Sequence, residues 1–307
     1  MTAFYRRLAV SHLFFLLLAV IVLFVPKSRP GLAPHTALCA ALCIMEGLYL
    51  LAVWRAERRG GSRTAPFDII LLVWILLIVW ELATSVYNRA HPVLIPAPEN
   101  VFHTFREQWD TLLLNVWYSL RLLMVGFAAG LTLGVILGMF AGWYPRLRAF
   151  AYPIANVMAP IPAIVISPYL VSLMPSFRSA SVLVIVLGVF WPTFLNTINR
   201  VVGIEPQILD SARMLKPGNA AMIWRILLPC LFPGVIAGLK VSMTTSLLML
   251  NFAELMGATH GMGYYVQNSI AYANYAHAIA GIIVIGVVVT ALSTIITWLQ
   301  KKLIRWH

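Results

Sequence analysis

The sequence predicts an all-α membrane protein that crosses the bilayer about eight times. Three observations predict it. First, the chain is 61% hydrophobic and only 10% charged, with a mean hydropathy of +0.87. A soluble domain carries about 25% charged residues, so this chain lacks the polar surface to stay in water. Second, apolar runs of the length that crosses a hydrocarbon core, about 20 residues, recur along it. Third, Lys and Arg sit at the ends of those runs, where the positive-inside rule puts them. The net charge of +12 belongs to that pattern. The basic residues do not gather with exposed aromatics, so no nucleic-acid partner is expected.

The spans are expected at roughly 8–25, 35–54, 67–87, 116–142, 150–172, 179–200, 228–255 and 277–299. Arg6 and Arg7 precede the first. No small-residue cleavage site follows it; Pro26, Lys27 and Arg29 do, so it reads as a retained anchor. Residues 55–66, RAERRGGSRTAP, form a basic linker. It separates a two-helix N-terminal extension (1–65) from a six-helix core (66–307). With the N-terminus inside, fifteen Lys and Arg fall on the inner side and five on the outer side. That asymmetry predicts both termini in the cytoplasm. Pro96 and Pro98 break the long outer connection 88–115, and Asn100 is placed to cap a helix carrying Val101, Phe105 and Trp109.

Within the spans, four patterns stand out. Gly126, Gly130, Gly134, Gly138 and Gly142 recur every four residues and make one smooth helix face. Small faces let helix backbones approach closely in lipid, so the face reads as a packing seam, with a sliding seam as the alternative. Pro153, Pro160, Pro162 and Pro168 interrupt the fifth span, and Pro192 interrupts the sixth. Interrupted helices are tolerated beside protein or a water-filled cavity and often line transport pathways. The pathway candidates are therefore Pro160, Pro162, Ser167, Pro168, Pro192, Thr193, Asn196 and Thr197. Glu46, Glu81 and Glu254 are acids within spans, which makes a proton relay conceivable. Glu81 and Glu254 lie near outer ends, however, where they would reach water. Cys39, Cys43 and Cys230 border apolar runs without a His or acid to complete a ligand set, so no metal site is expected.

The loop 201–227 is polar and helix-compatible. Pro206 suits the first turn of a helix after Glu205. Lys216-Pro217-Gly218 ends it, and Asn219 can cap a second short helix. Ile208, Leu209, Ala212 and Leu215 recur at three- and four-residue steps. Such a face docks in a groove on another protein or rests on the chain's own surface.

Several segments carry a family resemblance. LIPAPENVFHTF (94–105), PIPAIVISPYL (160–170), LGVFWPTFLNT (187–197), DSARMLK (210–216), ILLPCLFPGVIAGLKVSM (226–243) and ELMGATHGMGYYV (254–266) occur in order. Together they resemble the permease subunits of ABC importers, nearest the sulfonate, taurine and nitrate branch. The resemblance implies a type I importer core of six helices over 66–300, in the bacterial inner membrane. It implies a cytoplasmic ATPase dimer that binds ATP and Mg, since no Gly-Lys-Ser/Thr phosphate loop occurs here. It further implies a second permease subunit, read as another copy of this chain. A periplasmic or lipid-anchored substrate-binding protein would deliver a small sulfonate-like anion or another small organic molecule. By the same resemblance the ATPase-docking residues are Glu205, Ile208, Leu209, Asp210, Ser211, Ala212, Arg213, Leu215 and Lys216. This chain departs from the family pattern at Asp210 (usually Glu), Ser211 (usually Ala) and Lys216 (usually Gly), which points to a dedicated ATPase. Two other readings stay open: a proton-coupled carrier, and a non-transporting membrane scaffold.

Overall fold

The computed structural model describes residues 2–59, 65–214 and 218–303. Among the described residues the chain is helical, without strands. It divides into two compact units. The first takes in the chain up to Leu112 together with Val266–Ile282; the second takes in Leu113–Tyr265 and the chain from Ile283 on.

In the first unit, α1 (Thr2–Phe24), α2 (Thr36–Arg59) and α3 (Ala65–Glu81) pack around Leu18, Leu38, Leu42, Tyr49 and Trp74. Their other faces expose Leu13, Leu16, Ile44, Leu48, Ile69 and Leu72. Apolar side chains turned outward in such number fit hydrocarbon, where exposure carries no penalty. α3 continues as a π-helical turn, Leu82–Val86. That turn leaves the Ser85 carbonyl free to accept the backbone N–H groups of Ser28 and Arg29 from the α1–α2 connection. A short helix, α4 (Pro98–Glu107), follows. Its N-cap is Ala97, so Asn100 does not cap it as the sequence led us to expect. The Asn100 carboxamide instead accepts the Ala33 N–H at 2.7 Å, and Trp109 opens the next helix.

α5 (Trp109–Trp143) is a helix of 35 residues, longer at its start than the fourth expected span. In the second unit its continuation packs on α8, and α6 (Pro145–Met158) and α7 (Ala163–Leu173) follow. The expected fifth span is thus two helices that meet at 94°. Pro160 and Pro162 occupy the break, where a missing backbone donor costs no helical hydrogen bond, whereas Pro153 and Pro168 lie inside α6 and α7 and do not interrupt them as expected. α8 (Phe177–Val202), by contrast, runs unbroken through Pro192, which corrects the expectation of a second interrupted span. α9 (Pro206–Met214) begins at the proline marked as its first turn. The expected second short helix of the loop is absent as a separate element. α10 (Asn219–Ala221), with Gly218 rather than Asn219 as its cap, leads through a π-helical stretch, Met222–Leu227, straight into α11 (Leu228–Leu255). Continuing the apolar core through Ile223, Leu227 and Leu231 makes one long helix more favourable than a break. α12 (Met262–Ala271) and α13 (Tyr275–Leu303) complete the chain.

Among the described residues six helices are long and apolar enough to cross a membrane, or seven with α6 and α7 counted as one bent span. The apolar stretch Leu8–Phe24 of α1 is shorter, and adding it brings the number to about eight.

Candidate functional site

The glycine seam of α5 meets α8 side on. A Cβ added at Gly126 would lie 2.7 Å from the Ile185 Cβ, at Gly134 2.9 Å from that of Thr193, at Gly138 2.6 Å from that of Thr197 and at Gly142 2.7 Å from that of Val201. At Gly130 it would lie 2.8 Å from the Val186 carbonyl. No side chain larger than hydrogen fits at this separation. Thr193 and Thr197 therefore face α5, and the Thr197 hydroxyl donates to the Thr193 carbonyl at 2.7 Å. Asn196 points elsewhere and is exposed, while Pro192 is half-buried. The eight pathway candidates do not converge on one surface. Pro160, Pro162 and Pro168 are exposed around the α6–α7 bend. Ser167 is fully buried on α7, and among the described residues its hydroxyl has no hydrogen-bond partner.

α9 has two different sides. Ala212 is buried, and Leu209 packs against the cluster formed by Val201, Ile223, Leu227 and Leu231. Ile208 is 44% exposed and Met214 85% exposed. Glu205, Asp210 and Ser211 are exposed as well, and the Ser211 hydroxyl donates to the Gln207 carbonyl at 2.7 Å. The side chain of Arg213, together with Leu215 and Lys216, lies outside the described residues. The repeat at three- and four-residue steps thus splits: Leu209 and Ala212 are turned inward, and Ile208 stays exposed. Met214 was not among the sequence candidates, because its exposure depends on which way the helix is turned.

The acids of the spans are buried and partnered, which corrects the expectation that Glu81 and Glu254 reach water. Each is 1% exposed. Glu254 accepts the Ser119 hydroxyl at 2.6 Å and the Gly263 N–H at 2.7 Å. Ser119 in turn accepts the Met262 N–H at 2.8 Å, and the Asn115 carboxamide accepts the Gly261 N–H at 2.7 Å. Gly257 and Gly261 both adopt positive φ in the turn so held. A side chain at Gly261 would also run into the Glu254 carboxylate. In the first unit Lys27 donates to Glu81 at 2.8 Å and to Glu99, and Ser85 donates to Glu99 at 2.7 Å. Glu99 lies outside the spans. Burial pushes its carboxyl up, but hydrogen bonds from Lys27 and Ser85 outweigh that and hold it below the usual carboxylate range. Glu46 pairs with His12 of the neighbouring helix.

Residues 130–306 match the family described as binding-protein-dependent transport system inner membrane component. The chain is 26% identical over 253 residues to a Bacillus subtilis permease protein assigned to aliphatic sulfonates transport, covering 82% of this chain and 91% of that one. It is 26% identical over 261 residues to the taurine transport system permease protein of Escherichia coli, covering 83% and 92%. It is also 23% identical over 281 residues to the bicarbonate transport system permease protein of Synechococcus elongatus, covering 82% and 98%.

Proposed function

The chain belongs to the binding-protein-dependent transport system inner membrane components, the permease subunits of ABC transporters, and from that premise we propose that it builds the translocation pathway of an ATP-driven importer. In this reading both termini face the cytoplasm, and α9 docks on a separate ATPase dimer that binds ATP and Mg. A second copy of the chain completes the pathway, and a periplasmic or lipid-anchored binding protein delivers the substrate. That substrate is a small sulfonate-like anion or another small organic molecule. The aliphatic sulfonate, taurine and bicarbonate assignments of the relatives support small anions and zwitterions.

The observation that carries the coupling role is the two-sided packing of α9. A helix that transmits motion needs a base fastened to its own subunit and apolar side chains left for the partner. Leu209 and Ala212 supply the base; Ile208 beside it and Met214 on the opposite side stay exposed. The buried acids favour this reading over a proton relay. Glu81 is held by Lys27, and Glu254 by the Ser119 hydroxyl and the Gly263 N–H, an arrangement suited to fixing chain segments. The test is uptake of taurine or ethanesulfonate into proteoliposomes that contain this chain, the neighbouring ATPase and the binding protein. ATP-dependent uptake is expected. Uptake driven by a proton gradient without the ATPase would overturn the proposal, and substrate binding with no transport would favour a scaffold.

A further inference from the structure

The second unit contains an open cavity of about 370 Å³ between α5 and the start of α8. Tyr118, Arg121 and Val125 line one side; Ser176, Arg178 and Ser179 line the other. We infer that this cavity is a binding site for an oxyanion, with the guanidinium groups of Arg121 and Arg178 as its two charged contacts.

The charge balance is the first argument. Two cations share one small cavity, and no carboxylate lines it. Among the described residues neither Arg has an acidic oxygen within 4.0 Å, whereas Lys27 meets two. The planar donor fork of a guanidinium matches a pair of oxygens on sulfonate, carboxylate or phosphate. Position is the second argument. Arg121 lies on α5 only five residues into the span expected at 116–142, and both its side chain and that of Arg178 are exposed. A guanidinium near the end of a span extends toward the interface, so both charges are accessible to an anion entering the open cavity.

The remaining walls define the ligand further. Ser176 caps α8, accepting the Ser179 N–H at 3.2 Å, so the positive end of a 26-residue helix points at the same space. The Arg178 guanidinium lies 5.6 Å from the centre of the Tyr118 ring, which itself stacks on His260 at 4.7 Å. This holds Arg178 near one orientation before any ligand arrives. Leu122, Val125 and Val182 make the rest of the lining apolar. A charged head with a short carbon body matches these walls, and a volume of this size suits a small molecule. Two sources offer such a head: a free organic sulfonate, or the phosphodiester of an anionic phospholipid. The site itself stands without the transport reading; identifying its anion with the transported substrate rests on that reading.

The experiment uses the full chain in nanodiscs, without ATPase or binding protein, so that a failure of transport cannot be mistaken for a failure of the site. In nanodiscs of phosphatidylcholine alone, ethanesulfonate is titrated by calorimetry. In nanodiscs containing phosphatidylglycerol, retention of that lipid is followed by native mass spectrometry. Arg121→Gln and Arg178→Gln should weaken binding about tenfold each, as loss of a charged hydrogen-bond donor implies. Arg178→Lys should recover part of it, and all variants should melt as the parent does. Ethanesulfonate binding that depends on both arginines identifies a free anion as ligand. Arginine-dependent retention of phosphatidylglycerol alone identifies the lipid headgroup, and still supports the site. Binding of neither probe to the parent chain would overturn the inference. So would binding that is unchanged in the Arg121→Gln, Arg178→Gln double variant.

Discussion

Ser119 and Glu254 are 135 residues apart in sequence, yet their side chains meet at 2.6 Å where neither reaches water. Ser119 is a relay in this pair. It donates to the carboxylate and accepts the Met262 N–H, so one hydroxyl fixes both α11 and the turn that starts α12. Ser119→Ala should therefore leave a buried carboxylate and a buried N–H each one partner short. A loss of about 1–3 kcal/mol is expected for such orphaned groups. Thermal melting of the purified chain in detergent would measure it; a melting temperature equal to the parent's would show that the turn is held otherwise.

Lys27 sits between Glu81 and Glu99. Lys27→Met removes the cation hydrogen-bonded to both acids. Breaking a buried pair by removing one partner costs about 3–5 kcal/mol. The double variant Lys27→Met, Glu81→Gln should recover part of that loss, because one buried charge goes with it. Two additive losses in melting measurements would contradict the pairing.

The same cluster makes stability fall on the acid side. The Glu99 carboxyl is held below its ordinary value of 4.5, so the folded state binds its proton less readily than the unfolded chain does. Its contribution is complete above that ordinary value and is lost as pH falls through the lowered one. For Lys27 burial acts downward, but its bonds to Glu81 and Glu99 prevail and raise it above 10.5. Its contribution is present below 10.5 and is lost only as pH rises through the raised value. Melting temperature should thus decline from pH 4.5 downward, and Glu99→Gln should flatten that limb.

The α5 seam offers a controlled comparison. Gly138→Ala places a methyl 2.6 Å from the Thr197 Cβ, while a methyl at Gly238 of α11 meets nothing within 4 Å. Overpacking of this kind costs about 1–3 kcal/mol. Gly138→Ala should lower the melting temperature, and Gly238→Ala should leave it unchanged or raise it. Equal effects at the two sites would show that α5 and α8 give way freely.

The two sides of α9 should separate stability from coupling. Leu209→Ala opens space beneath the helix and should destabilise the chain, at the lower end of the roughly 2–5 kcal/mol seen for core Leu→Ala changes. Ile208→Asp, at an exposed position, should leave melting intact but abolish stimulation of the ATPase by the assembled transporter. ATPase assays beside melting curves give both readouts, and an Ile208→Asp transporter with full stimulation would remove Ile208 from the docking face.

Much of this was legible from residue order. The apolar runs gave the number of spans, because the bilayer demands internal satisfaction of every backbone group over a fixed length. Pro206 marked the start of α9, and Pro160 and Pro162 marked the α6–α7 break. Pro192 misled, since a proline bends a helix only as far as its neighbours permit. Here Ile185 and Val189 before it and Phe194 and Ile198 after it are buried and hold α8 whole. Asn219 misled for a related reason: continuing into α11 buried more apolar surface than stopping to be capped.

The sequence by itself determined that this chain is a bundle of membrane helices of the importer-permease kind, and roughly where its apolar helices lie. Those properties follow from local composition and from ordered motifs, both of which are one-dimensional. Tertiary structure alone decided which side of α9 is fastened, that Glu81 and Glu254 are partnered rather than wet, and that Arg121 and Arg178 share a cavity. Each of these depends on how a helix is rotated about its axis and on what another segment, often a hundred residues away, places beside it.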